Sequence, residues 1–306
     1  MSTYRSPNHF EPITWHTVSH INRPIIVQDR DVRLLWILAR DRYATVNHLL
    51  HAGFAHRTSL QRRLSLLSQA GYIQSGHMLW PDPPIHRINV YTLTAAGAAL
   101  CEADDPTTWA AYYLNWQPPA EAISAKRHVL HELGRNDVLW KIVDDCYGVQ
   151  WPIQWDPGQR GHVRLYPHGP SGQRLELTPD AVMTINQHIW LIEYERSWRP
   201  DTLVQKMHRY SRYFHYQGWR ETFPLAPRIL FILAEKSTQE LTLTTWMAQA
   251  QTLEYYRLYV LPPMTDSADG PLMAWPVWHW SPQTHEREPV SSWLFDHNAP
   301  AADRVP

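Results

Sequence analysis

Apolar residues recur along this chain at two spacings, and the changes between them mark out the elements. From Asp31 to Ala39, the residues Val32, Leu35, Trp36, Leu38 and Ala39 fall at helical intervals, which predicts a helix burying one face. Thr45 is placed to cap a second helix carrying Val46, Leu49 and Leu50, with Gly53 at its end. A third helix is expected from Arg57-Thr58-Ser59, with Leu60, Leu64 and Leu67 on one face and Gly71 as the stop signal. Its other face carries Thr58, Gln61, Arg62 and Ser65. The spacing then shortens: Tyr72–Gln74 and Arg87–Leu93 read as two strands about the proline-rich turn Trp80–Pro84, followed by a helix from Thr94 to Glu102.

Three short helices, a hairpin and a further helix follow one another in the order of a winged helix-turn-helix domain. In such domains the second helix of the pair offers its N-terminal residues to the major groove. The candidate DNA-contacting residues are therefore Arg57, Thr58, Ser59, Gln61 and Arg62, with Arg63 at the flank and Arg87 on the hairpin. Between residues 24 and 104 there are eight arginines, no lysine and six acids, and three of the arginines lie on the third helix. The alternative is a protein–protein module whose third helix has only a solvated face. The run LSLLSQAGYIQ with VYTLTAAGAAL resembles the pattern of bacterial winged-helix DNA-binding domains, which implies contact with double-stranded DNA.

The remaining sequence divides by composition. Residues 1–28 lack periodicity and read as an extended arm, 29–104 as the winged-helix domain, and 105–125, with Pro118-Pro119, as a linker that packs by its aromatics. A second domain is expected over 126–262. It opens with a helix near Ala125–Asp145, followed by strand candidates at Val149–Trp155, His162–Tyr166, Arg174–Leu177, Ala181–Ile185 and Ile189–Tyr194. A helix from Pro200 presents Leu203, Met207, Tyr210 and Phe214 on one face. A strand at Arg228–Leu233, a helix near Gln239–Gln251 and a strand at Arg257–Leu261 complete an α/β unit with a mixed sheet. Residues 263–306 form a Pro/Trp-rich tail expected on the surface. The fold class is thus α+β.

Charge and composition narrow the functional classes. The net charge of −1 supplies no bulk field for polyanions, so nucleic-acid binding must be local. No apolar run approaches a membrane span and no signal-peptide core is present, so a cytoplasmic protein without membrane contact is expected. Cys101 and Cys146 form no metal-binding spacing and are expected to be buried, reduced thiols. The 18 histidines include no H-E-x-x-H pair.

One acidic constellation suggests chemistry. Asp180, after Pro179, precedes one strand, and Glu193 and Glu195 share a face of the next. Hairpin pairing of these strands would gather the acids into a hard-oxygen site for a divalent cation. A bound metal would neutralise a phosphodiester and lower the pKa of its bound water. The arrangement resembles the PD-(D/E)XK nuclease superfamily. That resemblance implies Asp180 and Glu193 as ligands for Mg2+ or Mn2+, with Glu195 standing where the motif has lysine. It also implies that Lys206 on the following helix supplies the missing ammonium, and that Asp137, with Glu132 in reserve, is an upstream acid. No glycine-rich phosphate loop or serine-hydrolase motif occurs.

The LT..G finish, the run His131-x-Leu133-x-x-Asn136-Asp137, the PD and E-x-E strands and the spacing Leu203, Lys206, Tyr210 together resemble the replication-relaxation family. The resemblance implies a DNA-binding accessory of a plasmid or integrated mobile element. It also implies a role in replication or DNA relaxation, a nuclease-like second domain that is active or degenerate, and a relaxase, a replication initiator or a second copy as partner. Two alternatives stand beside it: an active metal-dependent endonuclease that nicks DNA, and a winged-helix transcriptional regulator with a sensing or dimerisation domain.

Overall fold

A computed structural model describes residues 13–16, 25–80, 86–113, 116–118, 126–148, 153–156, 177–185, 188–195, 200–233, 258–261, 276–280 and 287–289. It is a mixed α+β structure with two sheets, one of them mixed, and divides into two compact units, Met1–Trp140 and Lys141–Pro306.

The first unit holds β1 (Thr14–Trp15), α1 (Asp29–Asp41), α2 (Val46–His51), α3 (Arg57–Gln69), β2 (Ile73–Trp80), β3 (His86–Leu93), α4 (Ala95–Asp104) and α5 (Pro106–Tyr112), together with the first part of α6 (Lys126–Gly148). The starts follow from local chemistry. Gln28 and Asp31 form a capping box on α1, and the Thr45 hydroxyl accepts the His48 N–H on α2. Asp105 caps α5, with Pro106 in its first turn. On α3 Leu60, Leu64 and Leu67 are buried as their periodicity predicts, whereas on α1 Leu35, Leu38 and Ala39 are joined in the core by Leu34 and Ile37, with the expected Val32 and Trp36 only partly buried.

Gly71 ends α3 with φ of +80°, a conformation that costs a side-chain-bearing residue energy. Its carbonyl and that of Tyr72 accept the Thr94 hydroxyl at 2.6 and 2.9 Å, and Thr94 in turn caps α4 by accepting the Gly97 N–H. A Cβ on Gly97 would lie 2.2 Å from the Tyr72 carbonyl oxygen. The LT..G pattern therefore seats α4 on the turn after α3.

Two segments carry more structure than their sequences suggest. The arm contributes β1, which pairs antiparallel with β2 to give the order β1-β2-β3. The segment read as linker begins with α5, whose Trp109 is buried and stacks on Tyr113 at 5.1 Å, with Trp36 5.7 Å away. Its aromatics do pack, and they do so from a helix. Val129, Leu130 and Leu133 on α6 cover the inner face of the hairpin beside Tyr43, Met78 and Val90.

The second unit is built on a seven-stranded sheet in the order β10-β9-β8-β7-β6-β5-β4. Its strands are β4 (Ile153–Asp156), β5 (Ala181–Ile185), β6 (His188–Glu195), β7 (Arg228–Leu233), β8 (Leu258–Leu261), β9 (Pro276–Trp280) and β10 (Arg287–Pro289). Pairing is antiparallel from β4 to β6, parallel from β6 to β8 and antiparallel out to β10. Helix α7 (Pro200–His215) lies in the connection between the parallel pair β6 and β7, the length of crossover that parallel strands require. Its Tyr210 meets Phe231 of β7 edge-on at 6.1 Å.

The tail expected on the surface instead supplies β9 and β10, which extend this sheet. The alternating Pro276-Val-Trp-His-Trp280 suits a strand with proline at its first residue, but flanking prolines and a polar connection mask that signal in the sequence. The strand candidates at 162–166 and 174–176 and the helix near 239–251 lie outside the described residues. Among the described residues both cysteines are buried and outside any disulfide, and no helix is long and apolar enough to cross a membrane.

Candidate functional site

Two groups of side chains stand out, one in each unit. The first is the N-terminal half of α3. With Leu60 and Leu64 turned inward, Arg57, Thr58, Ser59, Gln61 and Arg62 are all exposed. The Arg57 guanidinium donates to Asn47 Oδ1 at 2.5 Å across the α2–α3 turn, which steadies it without burying it. Arg87 on β3 is also exposed.

Arg63 behaves differently from its neighbours. Its guanidinium grips both carboxylate oxygens of the fully buried Asp31 and also donates to the Ile26 carbonyl at 2.7 Å. The Asp31 partner raises its pKa, against a smaller opposing effect of burial. Arg63 thus ties α3 to the start of α1 and is not part of the open basic surface, a role that sequence spacing alone does not distinguish.

The second group lies on β6 and α7. Asp180 N–H donates to the Ile192 carbonyl at 2.9 Å, extending the β5–β6 register. The Asp180 carboxylate accepts the Tyr194 N–H at 2.8 Å. Glu193 is 1% exposed and points to the same face as Glu195. From α7, Lys206 and Tyr210, one turn apart, reach the same carboxylate. Lys206 Nζ donates to Glu193 Oε2 at 2.8 Å and also to Glu195 Oε1, and Tyr210 OH donates to Glu193 Oε1 at 2.5 Å. Asp180, Glu193, Glu195 and Lys206 are therefore gathered as expected. Tyr210, read in the sequence only as part of an apolar stripe, is a fifth member.

Among the described residues, the Lys206 ammonium lies in the field of three carboxyls, Glu193, Asp180 and Glu195. Burial pushes the Glu193 carboxyl up, and the Asp180 charge adds to that, while Lys206 and Tyr210 pull it back only in part. Burial disfavours the Lys206 ammonium, but Glu193, Asp180 and Glu195 outweigh it and raise its pKa. Burial, and then the charge on Glu193, hold the Tyr210 hydroxyl protonated well beyond its ordinary range. Both Glu193 oxygens already accept protein donors, and among the described residues no three His, Cys, Asp or Glu side chains are grouped to share a metal ion. Among the described residues, the cluster is closed on its own lysine and tyrosine.

Asp137 has a different partner from the one expected of an upstream acid. Its Oδ1 lies 2.5 Å from His48 Nε2 on α2. Thr45 N–H donates to His48 Nδ1 at 3.3 Å, which places the imidazole proton on Nε2, facing Asp137. Next to it, Asn136 Nδ2 donates to the carbonyls of Asp41 and Tyr43 at 3.1 and 2.9 Å, and Trp140 Nε1 donates to Asp41 Oδ2 at 3.0 Å. The reserve acid Glu132 is fully buried and pairs with Arg135 at 2.7 Å on the same helix. The Asn136-Asp137 pair thus clamps α6 to the α1–α2 corner within the first unit.

No curated protein and no solved structure matches this chain. A family profile described as replication-relaxation matches residues 35–226, more than half of the sequence. That span runs from within α1 through α5 and takes in the Asn136-Asp137 clamp and the whole of the Asp180–Tyr210 cluster, and the chain belongs to the replication-relaxation family.

Proposed function

We propose that this protein is a DNA-binding accessory in replication or DNA relaxation. Its first unit acts as a winged helix that reads double-stranded DNA through α3. Family membership fits a replication-related role. The observation that carries the DNA reading is the exposed run Arg57, Thr58, Ser59, Gln61 and Arg62 on the solvent side of α3, whose opposite side is fully committed to the core. These side chains suit phosphate positioning and direct base readout, the arginines above all. With a net charge of −1 the protein gains little from long-range attraction. Tight binding would then draw on a second copy, or on a relaxase or replication initiator as partner.

The second unit supports a PD-(D/E)XK-like ancestry whose site is retired, with Lys206 serving as the built-in counter-ion of Glu193 and Glu195. The convergence of Asp180, Glu193 and Lys206 favours one further reading, a metal-dependent nickase. In that case Mg2+ or Mn2+ would bind Asp180 and Glu193 and supply an activated water, while Lys206 and Tyr210 would hold Glu193 in place. A plasmid assay with Mg2+ or Mn2+, run beside gel shifts on the same DNA, tests both readings. The accessory reading expects binding that weakens on Arg62→Ala and no nicking. Nicking that disappears on Asp180→Ala, with binding retained, would establish the nickase instead, and absence of binding would remove the DNA reading.

A further inference from the structure

The sheet β1-β2-β3 has two unlike faces. Ile13, Trp15, Met78, Ile88 and Val90 turn inward against Tyr43 and α6. On the alternate positions Thr14, His16, Arg87 and Asn89 are exposed and His77 is half-buried, with Thr14, His77 and Asn89 side by side in the register. The three strands and the residue that follows β1 contain no acid at all. At the centre of this face His16 Nε2 lies 3.3 Å from His77 Nδ1, with ring centroids 5.0 Å apart. Among the described residues, Arg87 is the charged side chain that acts on His77. Desolvation and then Arg87, with His16 after it, lower the His77 pKa.

We propose that the His16–His77 pair is a proton-dependent contact for a DNA phosphate, so that acidification strengthens DNA binding through this face. The proposal rests on the DNA reading above and adds its regulation. When both rings are neutral they share one long hydrogen bond, and among the described residues of the strands Arg87 is the one fully charged side chain. Loss of neutrality beside Arg87 is opposed until an anion arrives. A phosphate oxygen between the rings turns that repulsion into attraction, so proton uptake and phosphate binding promote one another by linkage. The nitrogen separation would also suit two ligands of a tetrahedral metal ion. Arg87 and the lack of any carboxylate on these strands work against a cation and for an anion.

The test is the affinity of the full-length protein for a short random-sequence duplex, measured by fluorescence anisotropy across a salt series at about pH 8 and about pH 5.5. The wild type is expected to tighten by roughly tenfold on acidification, with a salt slope steeper by about 1–2. His16→Gln combined with His77→Gln should remove most of that gain. His77→Gln alone should remove about half, and His208→Gln, an exposed histidine of the other unit, should follow the wild type. Thermal unfolding confirms that the variants are folded. If DNA binding is present but the double variant follows the wild-type pH response, this inference is wrong and the DNA reading stands. If neither protein binds DNA at either pH, both fall together.

Discussion

Replacing Asn136 with leucine isolates the clamp that holds α6 to the first unit. The side chain is fully buried and uses all of its polar atoms: Nδ2 donates to two backbone carbonyls, and Oδ1 accepts from Arg135 at 2.8 and 3.1 Å. Leucine is close in volume, so little cavity forms and the cost is almost entirely polar. The Asp41 carbonyl keeps the Tyr43 N–H at 2.8 Å, while the Tyr43 carbonyl loses the donor that Asn136 supplies. The buried Arg135 guanidinium loses an acceptor and retains Glu132. Two neutral hydrogen bonds at about 1 kcal/mol each, plus a desolvated group left short of a partner at about 1–3 kcal/mol, give a destabilisation of roughly 3–5 kcal/mol. Against a total of about 5–15 kcal/mol that is a large share, and it corresponds to a drop in melting temperature on the order of 10 °C. Asp137→Asn is the companion control: Asp137 is 43% exposed and the substitution keeps an acceptor for His48 Nε2, so it should cost about 1 kcal/mol or less. Urea unfolding of both variants provides the comparison. Asn136→Leu within about 1 kcal/mol of wild type would refute the clamp.

The two neighbouring arginines of α3 should separate cleanly. Arg63→Ala strands a buried Asp31 carboxylate and should cost about 3–5 kcal/mol of stability, whereas Arg62→Ala should leave unfolding unchanged and weaken DNA affinity; equal stability of the two variants would contradict the Asp31 anchor. Gly97→Ala forces a methyl group against the Tyr72 carbonyl and should destabilise the first unit by about 1–3 kcal/mol, seen as a lower denaturation midpoint; an unchanged midpoint would show that α4 sits farther from the turn. The raised Glu193 pKa means that the folded state holds its proton longer than the unfolded chain, so stability should fall as pH rises from 4.5 towards the higher folded value. Glu193→Gln should flatten that fall in urea titrations at successive pH values, and an identical slope in both proteins would show that Glu193 is ionised throughout.

The legible parts of this fold were those in which one local signal decides the outcome. The Leu60, Leu64, Leu67 stripe with Gly71, the Thr45 and Thr94 caps and the apolar run Arg228–Leu233 each fix an element by backbone chemistry within a few residues. The acidic cluster was legible for the same reason: antiparallel pairing of β5 and β6 places Asp180 beside Glu193 once the turn between the strands is assigned. What escaped depended on partners far along the chain. Arg62 and Arg63 are identical as residues, and only the buried Asp31, 32 positions away, separates an anchor from an exposed cation. An acid on a helix carries no sign of its partner, and the histidine that Asp137 meets, His48, is 89 residues upstream. Strands β9 and β10 are hidden by prolines that argue against strands elsewhere but are tolerated at the first residue of β9 and on the edge strand β10.

The residues by which the chain resembles its family sort into two kinds once their contacts are known. Thr94 and Gly97 seat α4 on the turn after α3, Asn136 and Asp137 lock α6 to the α1–α2 corner, and the Asp180 carboxylate fastens β5 to β6 through the Tyr194 N–H. Each of these meets a need of folding, so none requires a functional explanation. Glu193, Lys206 and Tyr210 do not fit that account. A buried ion pair with a carboxyl held above its ordinary range is a poor way to stabilise a sheet, and apolar residues of similar volume commonly do as well or better. The exposed polar face of α3 is likewise not required by the core beneath it. Subtracting what folding needs leaves these two groups as the candidates for function, one an exposed polar helix face and the other a buried carboxylate held by its own lysine and tyrosine.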